Sequence, residues 1–336
     1  MKIIAYNTNQ DETPYYNQFS RELGVEYVTT TSSLTEETVS LAEGCDALTD
    51  FLPDKSYTEE IVSRLSEYGI KYISLRTAGY DGVNPDLLAR YNIKLSNVPA
   101  YSPAAIAEFT VALTLTLFRN LQIVLPRVKT QDFLRTGMVG KEIGKQTVGI
   151  IGTGKIGLET AKIFKGFGAR VIAYDIFPDD TAREVVEYKN TLDELYAESD
   201  IISLHIPLLP GNRHLINSST IAKMKDGVYI INTARGGHIE PESLLNALLT
   251  KKVAGAAFDV YDFRGHDIFG QGKEGEILTD SIFRELFSLP NVVITPHIAY
   301  NTDEALRNIV KISTENILEF MQTGDCKNRI LMLKSN

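Results

Sequence analysis

The chain has 336 residues, 43% of them hydrophobic and 23% charged, enough for about two globular domains with substantial cores. Its 43 acidic and 34 basic side chains leave a formal net charge of −9, the wrong sign for a protein whose main partner is a nucleic-acid backbone. Two cysteines, Cys45 and Cys326, far apart and outside any CxxC pair, supply neither a disulfide framework nor a thiolate zinc site, and fit a reducing cytoplasm.

The opening segment MKIIAYNTNQ reads as a buried first strand, with too little apolar length for a signal peptide. From there to about residue 100, the apolar runs KIIAY, VEYVTT, ALTDF, KYISLR and IKLSNV alternate with helical spacing such as Thr58–Tyr68. That rhythm predicts a parallel sheet with helices on both faces. Asn97-Val98-Pro99 and Tyr101-Ser102-Pro103 break it, and Ser102 before Pro103 predicts a helix start. The run that follows, Ala104–Phe118, is the most apolar in the chain. At 15 residues including Glu108 it is too short for a membrane span and predicts a core helix.

A second series runs from about Gly144 to His297, with strands at TVGII, RVIAY, DIISLHI, GVYIIN, VAGAAF and NVVIT. Six strands with crossovers predict a doubly wound dinucleotide fold. The stretch Thr302–Phe320 regains helical spacing and is expected to pack back onto the first domain. The predicted class is α/β, with two doubly wound parallel-sheet domains. One is discontinuous and flavodoxin-like, residues 1–102 and 299–336, and the other is a Rossmann domain of residues 103–298.

Strand TVGII leads into Gly152-Thr153-Gly154-Lys155-Ile156-Gly157. The first glycine suits a tight turn, the second lets backbone approach a pyrophosphate, and the third allows close packing of helix on strand. Asp175, 18 residues beyond Gly157 at the end of RVIAY, can accept hydrogen bonds from ribose hydroxyls and would repel a 2′-phosphate. The expected cofactor is NAD.

Ligands of open parallel sheets bind beyond the carboxyl ends of the strands. There the sequence offers Pro207, Thr233, Ala234, Arg235, Asp259, Pro296 and His297. A guanidinium that grips a carboxylate and an imidazole that donates a proton suit a 2-oxo acid. Among the other histidines, His205 lies in an apolar run and is expected to be packed, while His214, His238 and His266 are expected at the surface. Five scattered histidines without HxH or HExxH spacing give no metal site.

Four segments, LSNVPAYSPAAIAEF (95–109), QTVGIIGTGKIG (146–157), KMKDGVYIINTARGG (223–237) and NVVITPHIAYNT (291–302), resemble the D-specific 2-hydroxyacid dehydrogenases. Within that family the chain is most similar to the D-lactate and D-2-hydroxyisocaproate enzymes of fermentative bacteria. The resemblance implies a homodimer of two-domain subunits, the discontinuous domain of residues 1–102 and 299–336 being the catalytic one, with the active site in the interdomain cleft. It also implies a small 2-oxo or 2-hydroxy acid as substrate, while the acidic charge and the short apolar runs argue against nucleic acid and membrane as partners.

Carried over by position, the resemblance makes His297 the proton donor and Arg235 the group that binds the substrate carboxylate. Lys155 and Ile156 would lie along the pyrophosphate and Asp175 on the ribose. Ile206, Pro207, Asn212, Thr233 and Ala234 would surround the cofactor, and Asp259 would contact the nicotinamide carboxamide. Ala78 and Gly79 would hold the substrate carboxylate through backbone N–H groups, and Phe51, Tyr101 and Tyr300 would shape the pocket for its side chain. The apolar helix at 104–118 followed by Asn120–Gly140, with Arg127, Lys129 and Phe133, resembles the arm by which such subunits embrace.

One position departs from the pattern: Arg264 stands where the family carries a catalytic Glu. That Glu favours the imidazolium form of the histidine. Its absence implies that Asp262 or Asp267 substitutes, that His297 works at more acidic pH, or that catalysis is impaired. The last alternative would leave an NAD(H)-binding regulatory protein on the same fold.

Overall fold

The computed structural model describes residues 1–51, 57–80, 82–263, 266–267 and 280–331, with 263, 266 and 267 by their backbone alone. Arg264 lies outside the described residues, as do the side chains of Asp267 and His266. The chain divides into two compact units, Met1–Ser102 with Asn301–Asn336, and Pro103–Tyr300.

The first unit is built on strands β1 (Lys2–Ala5), β2 (Glu26–Thr29), β3 (Ala47–Asp50), β4 (Tyr72–Leu75) and β5 (Lys94–Ser96). All pairings are parallel and the order is β2-β1-β3-β4-β5, the flavodoxin-like arrangement. Helices α1 (Thr13–Leu23), α2 (Glu59–Glu67) and α3 (Pro85–Arg90) make the crossovers. Thr58 caps α2 by accepting the Ile61 N–H, as a threonine before Glu-Glu would suggest. Ile3, Ile4, Leu48, Ile73 and Leu75 are fully buried, the mark of a sheet covered on both faces.

The second unit opens with α4 (Pro103–Phe118). An apolar helix with nine buried residues belongs in a core. Its three threonines turn their hydroxyls to carbonyls one turn back, Thr110 to Ile106, Thr114 to Thr110 and Thr116 to Ala112, so each hydroxyl is partnered within the helix. Helix α5 (Leu121–Lys129) follows at 67° to α4 and buries no residue. Among the described residues, no single helix is long and apolar enough to cross a membrane.

Then come β6 (Thr147–Ile151), α6 (Lys155–Gly166), β7 (Arg170–Tyr174), β8 (Glu187–Tyr188), α7 (Leu192–Glu198) and β9 (Ile201–Leu204). After α8 (Ser218–Ala222) come β10 (Val228–Asn232), α9 (Pro241–Leu249), β11 (Val253–Phe258) and the antiparallel pair β12 (Asp262–Phe263) and β13 (His266–Asp267). The unit closes with α10 (Ser281–Ser288) and β14 (Val292–Ile294). The main sheet is wholly parallel in the order β14-β11-β10-β9-β6-β7-β8. That is a Rossmann sheet with a seventh strand, not the six expected. The addition is β8, two residues paired to β7, too short to show an apolar period.

The last helix, α11 (Asp303–Thr323), returns to the first unit. It is capped by Thr302, buries Val310, Ile317 and Phe320, and stacks Phe320 on Tyr72 with ring centres 5.2 Å apart. The division falls after Tyr300, two residues beyond the expected 298/299. The N–H groups of Ile298 and Ala299 bond to Asp259, which keeps both residues with the second unit.

Candidate active site

In the second unit, the switch point of the strand order lies between β6 and β9, and the glycine turn sits there. Gly152 has φ +93°, the left-handed region that favours glycine. A Cβ on Gly157 would stand 1.9 Å from the Gly152 carbonyl oxygen, so α6 can start this close only with glycine. Gly154 differs: nothing lies within 4 Å of its would-be Cβ, and as N-cap of α6 it offers no side-chain acceptor. The α6 N-terminus thus has no side-chain cap and has room beside Gly154, as an anionic pyrophosphate requires. Asp175, directly after β7, accepts from Thr153 N–H at 2.6 Å and Thr153 Oγ1 at 3.1 Å through one oxygen, and from Phe177 N–H at 2.9 Å through the other. A carboxylate fixed beside the turn fits an adenosine ribose. These residues fit NAD.

The distinction between the glycines is testable. Gly157→Ala is expected to lower Tm by several degrees and weaken NADH binding at least about 10-fold, because two backbones must separate. Gly154→Ala is expected to leave Tm within about 2 °C yet weaken NADH comparably, since its methyl occupies only open space. Differential scanning fluorimetry and NADH fluorescence titration read the two effects. Equal Tm losses in both variants would refute the account of the cradle.

Arg235, Asp259 and His297 follow β10, β11 and β14, three adjacent strands of one sheet. Asn232 shapes the first turn: its side-chain amide donates to Arg235 O at 2.8 Å and its oxygen accepts from Ala234 N–H at 3.0 Å. The guanidinium is half-buried and Nη1 donates to Ala234 O at 2.8 Å. Thr233 is tied from behind by Thr110 of α4, with hydroxyls 2.9 Å apart.

Asp259 is fully buried. One oxygen accepts from Thr295 Oγ1 at 2.5 Å and Ile298 N–H at 3.0 Å, the other from Ala299 N–H at 2.7 Å. Burial pushes its carboxyl up, while those bonds and nearby His297 pull it down less strongly. Expected beside the nicotinamide, Asp259 thus engages the segment that bears His297. His297 itself has φ +57°, a conformation that costs an L-residue about 1–2 kcal/mol and that Asn, Asp and His adopt most readily. Its ring is half-buried, 6.5 Å from that of Tyr300 and nearly perpendicular to it.

His238, expected at the surface, is fully buried. Its Nε2 lies 3.0 Å from Ile206 O and its Nδ1 3.5 Å from Asn212 O, joining the loops after β9 and β10, and burial pushes its pKa down. His205 is packed as expected, with its ring 2.8 Å from Ser203 Oγ and its pKa driven down to about 3 by desolvation. Asn212 closes its own turn, donating to Pro207 O at 2.9 Å and accepting from Leu209 N–H at 2.8 Å. Lys155 is exposed and Ile156 half-buried in the first turn of α6. Asp262, one candidate for the missing Glu, pairs with Arg213. A Cβ on Gly236 would stand 2.3 Å from Asp262 N, so that glycine lets two loops touch.

The first unit carries its candidates on the carboxyl edge of its own sheet. Ala78 and Gly79 follow β4, and their carbonyls accept from the Asn97 side chain at 2.6 Å and from Thr77 Oγ1 at 2.6 Å. Phe51 follows β3, its ring centre 5.9 Å from the Arg76 guanidinium. Tyr101 O accepts from Asn308 of α11 at 2.8 Å.

Residues 111–299 match the family described as D-isomer specific 2-hydroxyacid dehydrogenase, NAD binding domain. The chain is 43% identical to an aromatic 2-oxoacid reductase of Clostridium sporogenes over 330 residues, 98% of this chain and 99% of the relative. It is 42% identical to a D-lactate dehydrogenase of Lactiplantibacillus plantarum over 331 residues, with the same shares covered. Among solved structures, a D-2-hydroxyisocaproate dehydrogenase superposes with a TM-score of 0.90 at 39% identity, covering 98% of this chain and 99% of that one. The chain therefore belongs to the D-isomer-specific 2-hydroxyacid dehydrogenases, NAD-dependent enzymes that reduce a 2-oxo acid to the D-2-hydroxy acid.

Proposed function

We propose that His297 is the acid/base of this reduction, that Arg235 binds the substrate carboxylate, and that the enzyme takes 2-oxo acids from pyruvate to phenylpyruvate. The observation that carries the reading is the pinning of His297: a strained backbone held by three hydrogen bonds from its segment to one buried carboxylate. Strain of this kind persists only where surrounding structure over-determines it.

Held at the Gly152–Gly157 turn and Asp175, NADH would supply the hydride received at C2. His297 gives its proton to the carbonyl oxygen as the carbon is reduced, so negative charge does not build on that oxygen. Arg235 holds the carboxylate by two parallel N–H bonds and draws electron density from the neighbouring carbonyl. Asp259 orients the His297 segment through its bonds from Thr295, Ile298 and Ala299. Lys155, Ile156, Ile206, Pro207, Asn212, Thr233 and Ala234 surround the cofactor. Ala78 and Gly79 contribute backbone donors to the carboxylate, and Phe51, Tyr101 and Tyr300 border the substrate side chain. An apolar wall separates substrates differing by one methylene by only about 1–3 kcal/mol, which favours breadth.

The test is NADH oxidation at 340 nm with pyruvate, 2-oxoisocaproate and phenylpyruvate from about pH 4.5 to 8. The expected result is turnover of all three, within about two orders of magnitude in kcat/KM. The rate is expected to fall as pH rises past the point where the donor loses its proton, with that limb lost in His297→Gln. NADH binding without turnover of any of the three would overturn the assignment.

We further propose a cytoplasmic homodimer. Its support is the exposed apolar series Leu125, Phe133, Leu134 and Val139, 58–92% exposed, in the segment that resembles the family arm. Sedimentation as a monomer of 37.4 kDa at micromolar concentration would remove the dimer.

A further inference from the structure

Three buried charged groups at the carboxyl edge of the first sheet are unused by the chemistry above: Glu12, Asp50 and Arg76, at most 1% exposed. Arg76 Nη2 donates to Tyr6 O at 2.8 Å and Asn7 O at 3.1 Å, and Nε stands 3.4 Å from Glu12 Oε1. The Arg76 backbone N–H donates to Asp50 O at 2.7 Å.

Asp50 ends β3, one residue before Phe51. One of its carboxylate oxygens accepts from the Asn7 side-chain amide at 2.7 Å and from the Phe51 N–H at 2.8 Å. The other accepts from the Tyr57 hydroxyl at 3.2 Å. An apolar residue at position 50 would leave those donors without this acceptor, and an ionisable group is buried here despite the penalty for desolvating it. Phe51 is thus held twice, its backbone by Asp50 and its ring over the Arg76 guanidinium at 5.9 Å.

We propose that Asp50 is a positioning residue for substrate choice: by gathering Asn7, Phe51 and Tyr57 on one carboxylate it sets the place of the Phe51 ring and so the side-chain size accepted. This rests on the reading of Phe51 as a border of the substrate pocket. The required feature is an acceptor geometry rather than a charge. Asparagine at position 50 can accept from Asn7 and Phe51 with its oxygen and donate to the Tyr57 hydroxyl, which can act as acceptor.

The test measures kcat and KM for pyruvate and phenylpyruvate in Asp50→Ala, Asp50→Asn and Phe51→Ala. Releasing the wall weakens the grip on the smaller acid more. Asp50→Ala is therefore expected to raise KM for pyruvate at least about 10-fold more than KM for phenylpyruvate, with kcat within about 3-fold. Asp50→Asn is expected to return the KM ratio to within about 3-fold of the parent. An Asp50→Ala enzyme whose KM ratio is unchanged, both substrates suffering alike or neither, overturns the proposal, and so does an Asp50→Asn enzyme that behaves as the alanine variant. If Phe51→Ala also leaves the ratio unmoved, the reading of Phe51 has failed; if it moves the ratio and Asp50→Ala does not, only the role of Asp50 has. Should Asp50→Ala not fold, Tyr57→Phe takes its place and is expected to shift the ratio in the same direction by about 3-fold, with no shift counting against the proposal.

Discussion

His297→Gln is expected to lower kcat for 2-oxo acid reduction by about 10²- to 10⁴-fold, the range contributed by a positioned general acid. NADH affinity should stay within about 3-fold, because the glycine turn and Asp175 contain no part of this residue. Stopped-flow absorbance at 340 nm gives the first quantity and fluorescence titration the second. The backbone at position 297 is left-handed, so glutamine introduces some strain of its own. His297→Asn, a residue at ease at such φ, separates strain from chemistry. If the asparagine enzyme retained more than about a tenth of the parental kcat, the proton would come from another group.

A second large loss is expected for Arg235→Lys. Lysine keeps the charge but replaces a planar fork with a point donor, and such exchanges are not conservative where two parallel bonds grip a carboxylate. Losing one hydrogen bond to a charged group is worth about 1.5–3 kcal/mol, so kcat/KM should fall by about 10- to 200-fold. The turn itself should survive, since Asn232 bonds the backbone of Ala234 and Arg235 and not the guanidinium. An unchanged thermal midpoint with a raised KM would assign the loss to substrate binding. A fall in Tm with unchanged KM would make Arg235 a structural residue.

The nucleotide turn was readable because its requirements are local: three glycines, a strand before and a helix after, all within one stretch of chain. The five strands of the first sheet were equally plain, each being an apolar run long enough to show against its surroundings. The two-residue strand Glu187–Tyr188 was not, because its only credential is a neighbour, β7, some thirteen residues earlier. His238 misled for a related reason. Its sequence neighbours are glycines and a Glu-Pro pair, but what buries it are the Ile206 and Asn212 carbonyls, 32 and 26 residues away. The bonds from Thr295, Ile298 and Ala299 to Asp259 span 36–40 residues and leave no periodic trace. Residue types announced which groups could do chemistry; the side chains that aim those groups are disclosed only by three-dimensional packing.

The route of α11 has a consequence for biosynthesis. Asn316 of that helix bonds Ser74 and Asn97, 242 and 219 residues earlier, and Phe320 stacks on Tyr72. The first five strands therefore leave the ribosome well before the helix that completes their core, whereas the unit from Pro103 to Tyr300 is continuous and can close as soon as it is made. The nascent chain thus carries an unfinished, strongly apolar parallel sheet while the unit from Pro103 to Tyr300 is made, and chaperone demand and truncation sensitivity should concentrate on the unit whose strands precede that stretch and whose last helix follows it.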